Sequence, residues 1–360
     1  MISKKLKTNR RRSYTPNPVC IDGPSRSGKG AVSVAVSSLD RTEHITTILN
    51  IDRMITFYSL GLIDRDVTID SIATEVDLRL WKNYLGRDLN TNIHDLTSVL
   101  NSRDPDMYKK RMENHDTEKS FMYFLNQIQE EQPISLLCTD ELLLESDIII
   151  EALNNLKIIV VLRHPIDLSF AWHRSGRGHR YGTDPRMIHP TFSVNNRQPI
   201  PALAVSWAED YINMNPIDRA VASSIYLNNR YLDFLENIPE IATDKVYIVS
   251  FEKFVTNPNP ILKDICEFLD TKITTKTQKM LNRARVPRLL NVDDFSTKFH
   301  GIKANCSESV FSKIQEGSIR YENLFQSKLR ISNIGQAGEQ EYPSDFNTYF
   351  RKPKYLKGKR

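Results

Sequence analysis

The ten residues Ile21–Gly30 constrain this chain more than any other stretch. Gly23 and Gly28, with Lys29 directly after, have the spacing G-x-x-x-x-G-K. In that pattern small residues let backbone N–H groups converge on an anion at a helix N-terminus. Apolar Val19 and Cys20 precede it and apolar-rich Ala31–Val36 follows, so the motif falls between a strand and a helix. The spacing implies a cradle for a phosphorylated nucleotide; the bland alternative is a glycine turn in the same setting. The position after the lysine, where a Ser or Thr hydroxyl would hold Mg²⁺, is Gly30, and Ala31 follows it.

The rest of the chain supplies a large α/β scaffold for that loop. Its 360 residues suffice for one large α/β domain or two smaller ones. A net charge of +5 against 26% charged residues is too mild for a nucleic-acid coat. Much of the excess lies at the ends, in Lys4, Lys5, Lys7 and Arg10–Arg12 and in Arg351, Lys352, Lys354, Lys357, Lys359 and Arg360, which read as solvated tails. Cys20, Cys138, Cys266 and Cys306 are scattered with no C-x-x-C pair, so neither a metal cluster nor a disulfide framework is expected. No apolar run reaches the ~18 residues of a membrane span, and the basic N-terminus lacks the apolar core of a secretory signal. The expectation is a cytoplasmic protein with no nucleic-acid partner and no membrane span.

Along the chain, residues 1–17 read as a flexible basic arm, 18–330 as a single α/β domain and 331–360 as an extended or disordered basic tail. Order is expected from Val19. A helix through Leu39 follows the loop, and Ile45–Ile51 reads as a second strand delivering Asp52 to the carboxyl edge of the sheet, where ligands bind in parallel sheets. Residues 53–131 carry helical spacing and form a cap or insertion, with Phe57, Tyr58, Trp81 and Tyr84 as aromatics for stacking or core. Ile134–Asp140 is a buried strand ending in the acid pair Asp140 and Glu141, a helix covers 146–156, and Lys157–Leu162 is the cleanest parallel strand. Arginines and histidines crowd Arg163–Arg180, while 183–202 is a proline-rich loop or lid. Helices at 207–212 and 217–235, a strand at Lys245–Ser250 and a helix at 261–269 complete the pattern, which weakens beyond Arg288. Alternating strands and helices predict a three-layer α/β sandwich with a central parallel sheet flanked by helices, plus the helical insertion.

Two families are resembled by particular residues. Ile21–Gly30 resembles the phosphate loop of the cytidylate kinases, and Leu49–Tyr58 resembles their second strand and following helix; the likeness departs at Ala31, where those kinases carry threonine. Three stretches in the right order resemble the sulfotransferases of the P-loop type. Pro24–Gly28 is similar to their loop for a 5′-phosphosulfate, and Ile158–Trp172 to the strand, arginine and helix at the 3′-phosphate. Val246–Phe254, with the helix up to Leu269, is similar to their tyrosine-glutamate-aspartate-leucine strand and the helix behind it. This resemblance implies a P-loop fold and transfer of a sulfuryl group from 3′-phosphoadenosine 5′-phosphosulfate (PAPS) to a hydroxyl or amine without a metal. It departs where Lys29-Gly30 replaces Thr-Thr and where Ala171 occupies the usual phosphate-binding serine position, Ser169 lying two residues earlier. Arg283, Arg285 and Arg288 are the nearest substitutes for the family's later basic segment.

On that resemblance, Gly23, Ser25, Arg26, Ser27, Gly28, Lys29 and Gly30 hold the 5′-phosphosulfate, and Arg163 with Ser169 the 3′-phosphate. Arg26 and Lys29 stabilise charge on the bridging and sulfuryl oxygens. Asp52 is the first candidate for the base; Asp140, Glu141 and a histidine between 164 and 179 are the others. Asp167 reads as structural, near a helix terminus. The kinase likeness implies instead that Lys29 grips the β- and γ-phosphates, Asp140 orients Mg²⁺, and Arg174, Arg177 and Arg180 close as a lid. A catalytically silent nucleotide-binding module is the third reading. The acceptor, whether carbohydrate, lipid-linked or a small molecule, and the oligomeric state leave no signature.

Overall fold

The computed structural model describes residues 8, 13–113, 120–185, 187, 189–290 and 292–326. The tail expected at 331–360 and most of the expected arm lie outside these residues. In chain order the elements are β1 (Asn17–Asp22), α1 (Lys29–Val36), α2 (Leu49–Ser59), α3 (Arg65–Tyr84), α4 (Pro105–Glu113), α5 (Ser120–Glu131), β2 (Ile134–Cys138), α6 (Ser146–Ala152), β3 (Lys157–Leu162) and α7 (Pro165–Arg174). There follow β4 (Thr191–Phe192), β5 (Ile200–Pro201), α8 (Ala208–Asn213), α9 (Pro216–Glu236), β6 (Val246–Ser250), α10 (Phe251–Thr256), α11 (Pro258–Leu269), α12 (Thr277–Arg283), α13 (Val292–Asn305) and α14 (Glu308–Gln326).

Four parallel strands form the central sheet in the order β2-β1-β3-β6, with Ile21 opposite Ile159 and Ile159 opposite Tyr247. Strand alternation divides the core between two faces. On β3, Ile158, Val160 and Leu162 pack toward Ile51 and Ile55 of α2, Ile72 of α3 and Tyr231 of α9, whereas Ile159 and Val161 pack toward Val32 and Val36 of α1 and Ile261 of α11. Helices therefore cover both faces, as a fully buried parallel sheet requires. The chain is an α/β protein of the expected three-layer kind.

One local expectation is corrected. Residues 45–51 are not a strand. Thr42 and Thr46 make only isolated parallel bridges to β2, and α2 begins at Leu49. Ile48, Ile51, Ile55 and Tyr58 recur at helical spacing and all contact one core cluster, so burial of a helix face overrides the β-branched composition. Residues 13–15 are held to α3, where the buried Asp77 carboxylate accepts hydrogen bonds from Ser13 Oγ, the Tyr14 and Thr15 backbone N–H groups and Thr15 Oγ1 at 2.8–3.0 Å. Beyond Arg288, where the sequence pattern weakens, the chain builds α13 and α14, which pack Phe295, Ile302, Phe311 and Ile314 onto Ile166 and Val221. Between α7 and α9, β4 and β5 pair antiparallel within the expected lid segment.

Candidate functional site

The loop after β1 turns on backbone geometry that its glycines permit. Gly23 has φ 137° and a Cβ there would lie 2.3 Å from the Val161 carbonyl oxygen; Gly28 has φ 99° and a Cβ there would lie 2.1 Å from the Phe251 ring. Neither position tolerates a side chain. Arg26 is left-handed at φ 71°, and Gly28 lies immediately before α1, whose first residue is Lys29. Ser27 N–H donates to the Pro24 carbonyl at 3.0 Å, closing the turn. Gly30 is exposed, with open space where a Cβ would stand.

Residues after β3 and β6 brace and charge this loop. Trp172 Nε1 donates to the Ser25 carbonyl at 2.7 Å, and Arg177 donates to Ser25 Oγ at 2.6 Å while its guanidinium lies 4.7 Å from the Trp172 ring centre. Arg163 donates to the Arg26 carbonyl at 3.3 Å. Arg163 and Arg288 approach the Phe251 ring at 4.8 and 5.4 Å, a cation–π arrangement. Burial, then the charges of Arg177, Arg180 and Arg163, press the Arg26 guanidinium below its ordinary pKa; burial and the charges of Arg163 and Arg285 do the same to Arg288. Cations crowded this closely suit a polyanion. Among the described residues, Ser27 Oγ, Arg163 Nε and Arg177 Nε are buried without hydrogen-bond partners.

Glu252 fixes this side of the site. Its carboxylate accepts from the His164 backbone N–H at 2.9 Å and from Tyr321 of α14 at 2.5 Å, joining the ends of β3 and β6. Asp167 pairs with Lys298 at 2.7 Å and lies 3.5 Å from Arg163.

An acid cluster occupies the other side of the loop. Lys29 is buried; its ammonium donates to the Gly23 carbonyl and pairs with Asp140 at the end of β2. Burial pulls the lysine pKa down, but Asp140 overrides this and raises it. Burial would likewise raise the Asp140 carboxyl, yet Lys29 and His189 hold it well below the usual carboxylate range. His189 Nε2 lies 3.6 Å from Asp140 Oδ2. The Asp140 backbone N–H donates to Asp52 Oδ1 at 3.0 Å, and burial followed by the Asp140 charge pushes the Asp52 carboxyl well above its ordinary value. Asp52 thus reaches the site from the first turn of a helix, not from a strand end.

The structure brings Gly23, Ser25, Arg26, Ser27, Gly28, Lys29, Arg163, Asp52 and Asp140 into one neighbourhood at the ends of β1, β2 and β3. Ser169 is fully buried and shares a 2.9 Å hydrogen bond with Ser224 where α7 packs on α9. Arg283 turns elsewhere, to Asn101 and the Ile93 carbonyl. Arg180 pairs with Asp184 at 2.6 Å, and Arg174 lies over Phe170 at 5.9 Å. His189 escaped the sequence reading; its only signal was a histidine beside Pro190 in a loop without periodicity.

No protein-family model matches the chain, and no curated protein matches it in sequence. Among solved structures it is similar to the sulfotransferase domain from the curacin biosynthetic pathway, at 14% identity over 87% of this chain and 99% of that one with a TM-score of 0.39. It is likewise similar to the sulfotransferase domain of the Synechococcus PCC 7002 olefin synthase, at 14% identity over 88% and 98% with a TM-score of 0.44. A third similar structure is the sulfotransferase STF9 from Mycobacterium avium, at 12% identity over 81% and 76% with a TM-score of 0.35.

Proposed function

We propose that the protein transfers a sulfuryl group from PAPS to a hydroxyl or amine acceptor without a metal. One observation carries this reading: Arg26, Arg163, Arg177 and Arg288 converge on a phosphate loop whose metal-hydroxyl position is Gly30. Cations fixed where charge develops stabilise transfer directly. Residues 25–30 would hold the 5′-phosphosulfate; Arg163 and Arg288 would hold the 3′-phosphate, with Ser27 Oγ and Arg163 Nε as waiting donors. An ammonium has three donors, and with Gly23 and Asp140 taking two at Lys29, one is left for the bridging oxygen.

In the transfer, the acceptor oxygen or nitrogen loses its proton to a base and forms a bond to sulfur. The bond from sulfur to the 5′-phosphate oxygen breaks, and 3′,5′-ADP leaves. Asp52 is our proposed base, because a carboxyl with a raised pKa binds a proton more tightly than an ordinary one. Asp140 and His189 would position it and take up the charge change.

The test is calorimetric titration without Mg²⁺. We expect 3′,5′-ADP to bind at least about tenfold more tightly than 5′-AMP, an advantage of about 1.4 kcal/mol, and Arg163→Ala to remove it. Equal affinities would refute the reading. A second reading is favoured by the Lys29–Asp140 pair, since an acid at the end of the strand beside the loop is placed as a metal-orienting residue. That reading requires Mg²⁺-dependent ATP consumption when nucleoside monophosphates are supplied. Nucleotide binding without turnover of any acceptor would leave the silent module.

A further inference from the structure

An open groove of about 680 Å³ runs along α2, and the mechanism above makes no use of it. Asn50, Arg53, Met54 and Phe57 recur on α2 at i, i+3, i+4 and i+7, so they share one helix face. Ile63, Val67 of α3 and Pro190 complete its apolar walls. The volume falls in the range of sites for small molecules, which are mostly apolar with a few polar groups. Its polar lining is Asn50, whose amide donates to Glu75 at 3.1 Å, with Arg53 and Ser71; the other five lining residues are apolar, a balance that favours an apolar body over a sugar.

Two residues of the groove are sequence neighbours of the proposed chemistry. Arg53 follows Asp52, and Pro190 follows His189; Asp52 and His189 both contact Asp140. A molecule lying along α2 therefore meets Arg53 and Pro190, the residues next in sequence to Asp52 and His189. We propose that this groove holds the body of the acceptor, and that the acceptor is an alcohol carried on an apolar chain. The proposal rests on the sulfotransfer reading. A chain longer than the groove would protrude through its open side, so the site selects for apolar character near the hydroxyl.

The test uses the full chain, PAPS carrying radiolabelled sulfate, the straight-chain alcohols ethanol, butanol, hexanol and octanol, and glucose as the polar comparison. Burial of each added methylene should raise kcat/KM about two- to fourfold. Val67→Asp introduces charge on the groove wall at an exposed position in the first turn of α3, where a carboxylate is compatible with the helix. It should flatten the series. Leu62→Asp, exposed and outside the groove lining, should leave the rise intact and the thermal transitions of both variants close to wild type. A rise that disappears only in Val67→Asp supports the proposal. Equal transfer to all four alcohols, a rise unaffected by Val67→Asp, or preferential transfer to glucose overturns the groove assignment while sulfotransfer stands. No transfer to any alcohol, together with no preference for 3′,5′-ADP, overturns the sulfotransfer reading and this proposal with it.

Discussion

Replacing Asp140 by Asn removes the charge that holds the two cations of the acid cluster. The side chain of Lys29 is 8% exposed and that of Asp140 is 21% exposed, so the pair is largely withdrawn from water. Breaking a buried ion pair from one side costs about 3–5 kcal/mol. Asparagine keeps an acceptor oxygen and Asp140 is partly wetted, so about 2–3 kcal/mol is expected at the least favourable pH. For a chain of 360 residues that corresponds to a fall in Tm of roughly 3–5 °C. The pH dependence follows from the direction of each shift. Asp140 is held well below its ordinary value of 3.8, so its contribution is complete above 3.8 and shrinks as pH falls below it, by about 1.4 kcal/mol per unit. His189 shifts the other way: burial lowers its pKa, but Asp140 overrides this and raises it above 6.5. Its contribution is complete below 6.5 and is lost as pH rises through the raised value. Urea unfolding of wild type and Asp140→Asn at pH 3, 5 and 8.5 should therefore show the largest difference at pH 5. At pH 3 the difference should be about 1 kcal/mol smaller. A difference that is constant across the three, or largest at pH 3, refutes the reasoning.

The loop glycines should separate sharply. Gly28→Ala forces a methyl into the Phe251 ring at a left-handed position, so a loss of about 2 kcal/mol or more and weakened 3′,5′-ADP binding are expected by thermal unfolding and calorimetry. Gly30→Ser enters open space in the first turn of α1 and should leave stability within about 1 kcal/mol of wild type. Asp52→Asn should lower turnover about a hundredfold or more while sparing 3′,5′-ADP affinity. If Asp52 is the base, wild-type turnover rises with pH through its raised pKa, and the variant loses that rising limb; an unchanged pH profile would remove Asp52 from that role.

The glycine turn after β1 and the four sheet strands were legible in the sequence because their signals are local. Lys157–Leu162 is a continuous apolar run, and the loop's spacing reflects backbone constraints that only glycine meets at Gly23 and Gly28. The run at 45–51 misled because β-branched residues predominate there, although Ile48, Ile51, Ile55 and Tyr58 already carried the helical period. In α14, Phe311, Ile314, Tyr321 and Leu324 carry a comparable period, diluted by the polar residues of an exposed face. Long-range partners were not legible. His189 lies 49 positions from Asp140 in sequence, and nothing local to either residue encodes their contact. Ser169 illustrates the converse. Its position in a resemblance made it a ligand candidate, whereas the packing of α7 on α9 commits its hydroxyl to Ser224.

Sheet order turns these separate features into a site with two sides. Because the order is β2-β1-β3-β6, the loop that leaves β1 lies between the acid at the end of β2 and the groups that follow β3 and β6. Arg163 follows β3, and Phe251, over which Arg288 lies, follows β6. The cations that suit an anionic donor are thus on one side of the loop. Asp140, Asp52 and His189, the groups suited to taking a proton, are on the other. A donor laid across the loop would present its transferable group between them, and an acceptor approaching along α2 would arrive from the acid side. Lys29 belongs to both halves: its backbone opens α1, and its ammonium is anchored to Asp140 beneath the loop. Removing the Asp140 charge should consequently disturb proton transfer and donor binding together, whereas Arg163→Ala should weaken the donor and leave the acid cluster's pH response in place.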